Sequence, residues 1–334
     1  MRELEPLVGT LAGVRVVVLG DLMLDTYVWG EALRISPEAP VPVFDVRSRT
    51  HRPGGAANAA AGIVALGGVA TVGGVVGVDP AADLLRTGLS ASGVRGDGLV
   101  PEPDRPTTTK TRFIVTNQQV VRVDEERRDP LTGATEDSLI AWAREQLGNA
   151  DAALLSDYGK GAVTPRVASM FVSIATESGL PVVVDPKGTD FAKYAGATVI
   201  TPNVSEARHA SRVRGPDDAA LDDVARDLAE LVGGAALLIT RGAAGMRLYV
   251  PGDSPDDVPA LAREVYDVTG AGDTVAAALA AALGRGIELA LAVRLAAAAA
   301  AVAVGHVGAA RVTSEELRRV LRDELRDGPS PIEP

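Results

Sequence analysis

The chain contains no cysteine and three histidines, His51, His209 and His306. The first absence excludes disulfides and thiolate chemistry, and it suits a reducing compartment. The second leaves too little imidazole for a histidine-rich metal site. Aromatic residues are 3% of the sequence. A core must therefore be assembled from Val, Leu, Ile and Ala, the composition of a buried parallel sheet covered by helices. Positive charge is also short: 33 Lys and Arg stand against 44 Asp and Glu, a formal net charge of -11. With no basic run, nucleic acid and anionic membranes are not expected partners. A small phosphorylated ligand is not excluded, because local cations and backbone N–H groups can hold it. The N-terminal MRELEPLVGTLAGVRVVVLGD has no signal-peptide core. The most apolar stretch, roughly 289–305, holds Arg294 and ends in Gly-His, which makes it a buried Ala-rich helix and not a membrane span. The cytoplasm is the expected location.

What the chain does have is small and branched apolar sequence. Hydrophobic residues are 46% and charged residues 23% of 334, enough for an ordinary folded core. VRVVVLGD (14–21), VATVGGVVG (69–77), AALLSDYGKG (152–161), LPVVVDPKG (180–188), ATVITPN (197–203) and AALLITRG (235–242) read as short apolar strands. Most end in polar residues with Gly or Pro. Helix-like segments separate them, such as 136–147 and 217–232. GGAANAAAGIVALGG (54–68) reads as a glycine turn feeding a small-residue helix. Alternating strands and helices predict an α/β fold with a central, mostly parallel sheet flanked by helices. Ligands of such sheets bind at the carboxyl ends of the strands, where the polar residues of this chain collect.

Two segments break the alternation. APVPVFDVRSRTHRPGG (39–55) and TTTKTRFIVTNQQVVRVDEE (107–126) have strand periodicity and read as antiparallel strands outside the main sheet. A small inserted β-sheet, about 30–50 and 107–126, would serve as a lid or as an edge pairing with a second chain, giving a homodimer. There is no internal repeat, and the tail RDGPSPIEP is expected to fray.

The chemistry concentrates in DVTGAGDTVA (267–276). A helix starting there leaves backbone N–H groups unpaired, with partial positive charge, and glycines let them approach an anion. Asp273 in the first turn could take a proton from a hydroxyl attacking a phosphoryl group, with Gly270, Ala271 and Gly272 around the charge. A plainer explanation, an acid favouring the helix dipole, remains open on this motif alone. Asn58 of PGGAANAA (53–60) could hydrogen-bond a polyol. Asp21 and Asp25 of GDLMLD could accept from sugar hydroxyls, or cap a turn. Asn203 and Glu206, three apart in TPNVSEA, suit a hydrated Mg²⁺, which takes few direct protein ligands. TRGAAG (240–245) offers Thr240, Gly242 and Gly245 to nucleotide phosphates. A Rossmann oxidoreductase is disfavoured, since VVVLGDLMLD has one glycine where the dinucleotide fingerprint needs three.

With PGGAANAAAGIVALGG and DVTGAGDTVAAALAAAL in this order, the chain resembles the ribokinase-like (PfkB) carbohydrate kinases over roughly residues 12–320. The resemblance implies a ribokinase-like fold and phosphoryl transfer from Mg-ATP. It makes Asp273 the catalytic base and Gly270 to Gly272 the anion hole. It implies sugar contacts from Asp21, Gly54, Gly55 and Asn58, and Mg-ATP contacts from Asn203 and Glu206. Asp267 and Thr269 lie where many members hold a monovalent cation such as K⁺.

GDLMLDTYVWGEALRISPEAPVPVF, TKTRFIVTNQQVVRVD, LSDYGKG, VVVDPKGTDF and EVYDVTGAGDTV further resemble the kinase module of heptose 7-phosphate kinases. That implies phosphorylation of the anomeric hydroxyl of D-glycero-D-manno-heptose 7-phosphate, in the making of nucleotide-activated heptose. Residues 1–334 would form one kinase domain without the adenylyltransferase that some relatives carry. His306 in VGHVGAA departs from the Lys usual in such kinases. A phosphorylated acceptor needs cations, and Lys110, Arg112 and Arg34 of the lid are candidates. Lys187 of DPKG could meet either ATP or the sugar. Trp29 and Trp142 are expected to pack rather than stack on sugar. Alternatives within reach are a kinase for another sugar or sugar phosphate, and a non-catalytic sugar-binding regulator.

Overall fold

The computed structural model describes residues 3–116, 118–131, 133–213, 218–261, 267–306 and 311–327. Its strands are β1 (Arg15–Gly20), β2 (Leu22–Ile35), β3 (Pro42–Gly55), β4 (Val69–Val76), β5 (Arg95–Pro101), β6 (Thr109–Val115) and β7 (Gln118–Glu125). They continue with β8 (Ala152–Ser156), β9 (Val182–Asp185), β10 (Val199–Ile200), β11 (Ala236–Thr240), β12 (Met246–Tyr249) and β13 (Asp256–Val258). Among the described residues the main sheet runs β13-β12-β11-β10-β9-β8-β1-β4-β5. It is parallel from β5 through β11, and antiparallel at β12 and β13.

The alternation of side chains along each strand divides the core in two. Val16 and Val18, with Leu154, Val183 and Leu238, face the Ala-rich helices Ala56–Ala65, Ala271–Leu283 and Leu289–Val304. Val17 and Leu19, with Leu155, Val184 and Ile239, face the helices Ala134–Leu147, Pro165–Glu177 and Asp218–Leu231. Alanines let the helices of the first layer approach each other and the sheet closely, so a larger residue there would overpack by about 1–3 kcal/mol. The stretch expected to be a buried Ala-rich helix is Leu289–Val304. No helix among the described residues is long and apolar enough to cross a membrane.

The inserted sheet has the order β3-β2-β6-β7. It differs from the expectation in two ways. It begins at Leu22, one residue after β1, so GDLMLD continues as strand and does not turn. Its central pair, β2–β6, is parallel, while β2–β3 and β6–β7 are antiparallel. The reason is topological: β2 follows β1 and β6 follows β5, and both leave the carboxyl edge of the same parallel sheet. Trp142 packs beside Gly73 and Gly98 of β4 and β5, as a packing residue would. Trp29, on the lid, is partly exposed. From 328 on, the tail lies outside the described residues, as do residues 307–310 of VGHVGAA. His306 sits past the end of Leu289–Val304, with Nε2 3.3 Å from Glu316 Oε1.

Candidate active site

Gly270 caps the helix Ala271–Leu283 in the left-handed region, at φ 79°, where a residue with a Cβ would be strained. This turn aims the helix start into the cleft. The N–H groups of Gly270, Gly272 and Asp273 make no hydrogen bond among the described residues, whereas Ala271 N–H donates to Val268 O at 3.2 Å. Ala271, expected in the anion hole, is thus partly occupied in forming the turn. Before it, Asp267 Oδ1 accepts from the Thr269 N–H at 2.9 Å.

Asp273 is buried. Its Oδ2 accepts from Asn58 Nδ2 at 2.7 Å, and its Oδ1 accepts from the Tyr158 hydroxyl at 2.5 Å. Burial pushes its carboxyl up from the usual 3.8 to about 6, opposed by these two hydrogen bonds and assisted by the charge of Asp25. The group is ionised at neutral pH, yet it is a stronger proton acceptor than a surface aspartate. Burial, with Asp273 next, raises the Tyr158 hydroxyl well above its usual value, so it stays a donor.

Asn58 reaches Asp273 because Gly54 and Gly55 bring β3 tightly into the helix Ala56–Ala65. A Cβ on Gly54 would collide with Asp25 Oδ2, and one on Gly55, at φ 59°, with the Asp21 carbonyl. Asp21 itself, expected at the sugar, is buried beneath the loop 158–162. Its Oδ2 accepts from the N–H groups of Tyr158 at 2.8 Å and Lys160 at 3.0 Å, and its Oδ1 from Ala162 at 3.0 Å. Burial and the charge of Asp157 raise it to about 6 against those hydrogen bonds. In this arrangement its carboxylate holds the loop that delivers Tyr158.

The lid candidates Arg112, Lys110 and Arg34 each face a carboxylate. Arg112 Nη1 meets Asp25 Oδ1 at 2.5 Å, both largely buried, and its guanidinium lies 5.3 Å from the Tyr27 ring centroid. Lys110 Nζ is 2.9 Å from Asp124 Oδ2 and 3.5 Å from Glu126 Oε2, and Lys160 Nζ is 2.7 Å from the same Glu126 oxygen. Arg34 lies 3.9 Å from Asp45 on the exposed part of the lid. Lys187 Nζ is 2.6 Å from Glu206 Oε1. Asn203 and Glu206 form a capping box at the start of Val204–Ala210, Asn203 Oδ1 accepting from the Glu206 N–H and Glu206 Oε2 from the Asn203 N–H, each at 2.9 Å.

Asp185 and Tyr158 are the residues of this centre that the sequence reading missed. Asp185 ends β9, beside β8, and its carboxyl accepts no hydrogen bond among the described residues. Burial, then the charges of Asp273 and Glu206, raise it well above the usual carboxylate range. A signal was present in its strand-end position in VVVDPKG, next to the Lys187 that was singled out.

Two cavities are lined by neighbours of Asp273. One, of about 500 Å³, is mostly apolar and lined by Thr240, Gly242, Gly245, Ala271, Gly272 and Val304, among others. The other, of about 380 Å³, is lined by His51, Arg52, Pro53, Asn58, Ser92 and Arg311, among others. Asn58 of the second cavity bonds Asp273, which follows Gly272 of the first.

A parallel-sheet body, a β-sheet lid, a helix start open to an apolar cleft and a buried carboxylate in its first turn, bonded to the lining of a second cavity, are the parts of a small-molecule phosphotransferase. Residues 14–316 match the pfkB family carbohydrate kinases, and the chain belongs to that family; it is a carbohydrate kinase. It is 45% identical over 331 residues to the bifunctional protein HldE of Trichlorobacter lovleyi, covering 99% of this chain and 67% of that protein. It is 43% identical over 317 residues to the bifunctional protein HldE of Desulfatibacillum aliphaticivorans, covering 95% and 65%. The chain thus spans about two-thirds of the length of these relatives. The fold is similar to that of Arabidopsis thaliana ribokinase complexed with ribose and ATP, with TM-score 0.74, 22% identity and coverage of 93% of this chain and 99% of that one. It is similar also to Escherichia coli phosphofructokinase-2 in complex with potassium, with TM-score 0.77, 18% identity and coverage of 93% and 99%.

Proposed function

We propose that the chain transfers the γ-phosphoryl group of ATP to the anomeric hydroxyl of D-glycero-D-manno-heptose 7-phosphate, yielding the 1,7-bisphosphate. The observation that supports the transfer geometry is the buried carboxylate of Asp273, bonded to Asn58 of one cavity and next in sequence to Gly272 of the other, beside helix N–H groups that make no hydrogen bond among the described residues. The choice of heptose rests on the lid and strand-end motifs and on the likeness to the HldE proteins. The adenosine moiety occupies the apolar cavity, near Thr240, Gly242 and Gly245. The sugar lies under the lid, against Asn58, Gly54 and Asp25. Asp273 takes the proton of the anomeric hydroxyl, the sugar oxygen bonds to the γ-phosphorus, and the bond to the ADP oxygen breaks. The N–H groups of Gly270, Gly272 and Asp273 stabilise the charge on the transferring group. Tyr158 and Asn58 orient the base, and lid closure excludes water.

The donor set suits Mg²⁺: the Asp185 carboxyl accepts no hydrogen bond among the described residues and faces the charge of Glu206, and Mg²⁺ takes one or two carboxylates together with phosphates and waters. Asp185, Asn203 and Glu206 would hold it, and it would supply charge neutralisation on the phosphates. Asp267 and Thr269 remain the proposed neighbours of a K⁺ ion. The lid is proposed to pair with a second copy. Every residue of β7 is exposed, although Val120, Val121 and Val123 are apolar.

The test is ATP consumption with a panel of sugars and sugar phosphates, with the product located by ³¹P NMR. Turnover giving an anomeric phosphate on heptose 7-phosphate is expected. No turnover on that sugar, with activity on another, would overturn the heptose assignment.

A further inference from the structure

The second cavity contains the inference that the motifs did not suggest. Arg52 and Arg311 both line it, and neither side chain has an ion-pair or hydrogen-bond partner among the described residues. That is unusual in this site. Lys110, Arg112, Lys160 and Lys187 are each closed on a carboxylate, and the chain has acids to spare at a net charge of -11. Arg52 is held from the side, its guanidinium 5.9 Å from the Tyr27 ring centroid, the same ring that Arg112 packs over at 5.3 Å. Arg52 also stands opposite Asp25 across the β2–β3 ladder, so it faces the sugar side of the lid. Arg311 is half-buried; burial, then the charge of Arg52, hold its guanidinium below the usual value. Two guanidinium groups facing one cavity, with no ion-pair partner among the described residues, repel each other, and an anion between them removes that cost.

The cavity also opens where a second charge on the acceptor would lie. Arg52 leads through Pro53, Gly54 and Gly55 into the helix of Asn58, which lines the same space and bonds the catalytic carboxylate at 2.7 Å. A ligand held by a phosphate at the arginines would share this cavity with Asn58, the partner of Asp273. Resting on the reading of the acceptor as a sugar phosphate, we infer that the phosphomonoester already on that sugar is bound between Arg52 and Arg311. Lys110, Arg112 and Lys187 do not bind it. Ser92, and His51 through Nε2, its Nδ1 being 3.0 Å from Thr26 Oγ1, add to the polar lining.

The test compares wild type with Arg52→Gln and Arg311→Gln. It reads the ratio of kcat/KM on heptose 7-phosphate to kcat/KM on the same heptose without phosphate, together with KM for ATP. Each substitution removes one charge-assisted contact and should lower the ratio by about 10- to 100-fold with KM for ATP unchanged. Arg52→Lys and Arg311→Lys should restore part of the loss, which separates charge from a folding defect. A ratio within threefold of wild type in both Gln variants overturns the inference while the kinase reading stands. So does a rise in KM for ATP alone, which would give the cavity to the nucleotide. If wild type uses free heptose as well as heptose 7-phosphate, the sugar-phosphate reading falls and the inference with it. If wild type prefers a different sugar phosphate, the ratio is read on that pair: a fall then supports the arginines although the heptose assignment has failed.

Discussion

Asp273→Asn separates the two costs that meet in one carboxylate. The substitution keeps the shape but removes the proton acceptor, so turnover should fall by about 10²–10⁴-fold, the usual contribution of a general base. Stability should move the other way. The folded-state value is about 6 against 3.8 in the unfolded chain, so the folded protein binds the proton more tightly between those limits. The buried charge is absent below about pH 4, is imposed as pH rises, and is complete above about pH 6. A shift from 3.8 to about 6 corresponds to roughly 3 kcal/mol of destabilisation at neutral pH, as an upper figure. The amide offsets part of the relief, because its NH₂ meets either the Tyr158 hydroxyl or Asn58 Nδ2, where the carboxylate accepts from both. For 334 residues, 1 kcal/mol moves Tm by about 1.5 °C. The variant should therefore melt roughly 2–4 °C higher than wild type at pH 8, with the gain vanishing towards pH 4. Thermal melts across that range and a coupled ATPase assay read both quantities. Turnover within threefold of wild type would remove Asp273 from the chemistry. A variant less stable at pH 8 than wild type would show that the carboxylate is a structural anchor and carries no stored cost.

Three further outcomes follow from the same geometry. In wild type, kcat/KM should fall below pH about 6 as Asp273 protonates. Tyr158→Phe removes a hydrogen bond that lowers that value, so the acidic limb should move to higher pH; an unmoved limb would assign it to another group. Arg112→Ala strips the counter-charge from buried Asp25 and should weaken free and phosphorylated sugars alike, so a selective loss of the phosphorylated sugar in steady-state kinetics would return Arg112 to the phosphate. Light scattering should show a dimer at micromolar concentration, and Val121→Asp, placing a charge on exposed β7, should give monomer; a monomeric wild type would refute the lid pairing.

The sequence made the body of the fold legible wherever an apolar run was long enough to be buried on both faces and ended in a glycine or a polar residue. β8, β9 and β11 follow that rule. β12 and β13 do not: MRLY and DDV carry charged residues inside the strand and lie antiparallel at the sheet edge, so no apolar run marks them. GDLMLD was misleading for a different reason. Acids after a strand end look like turn chemistry, but β2 starts at once, and its Asp25 is tolerable only because Arg112 arrives from β6 beside it. Local motifs such as GAGD could be read because a helix start and its glycines are contiguous. The countercharges could not: nothing near Lys187 in the sequence announces Glu206, nor does anything near Lys110 announce that Asp124 and Glu126 close on it.

That difference bears on how cations should be assigned in a kinase this acidic. A lysine at a strand end looks available to phosphate, yet in a chain of net charge -11 the first anion it meets is its own carboxylate. Binding then requires exchanging one charge-assisted bond for another, and the net gain is small. A cation kept free of acids has no such bond to give up. Arg52 and Arg311 lie far apart in the sequence, and neither belongs to the signatures that identify the family. Their meeting in one cavity, with no ion-pair partner for either among the described residues, is a tertiary fact. Specificity for a phosphorylated acceptor would then depend on the nearby acid being engaged elsewhere, as Asp25, opposite Arg52 on the ladder, is by Arg112, a feature that no local motif can record.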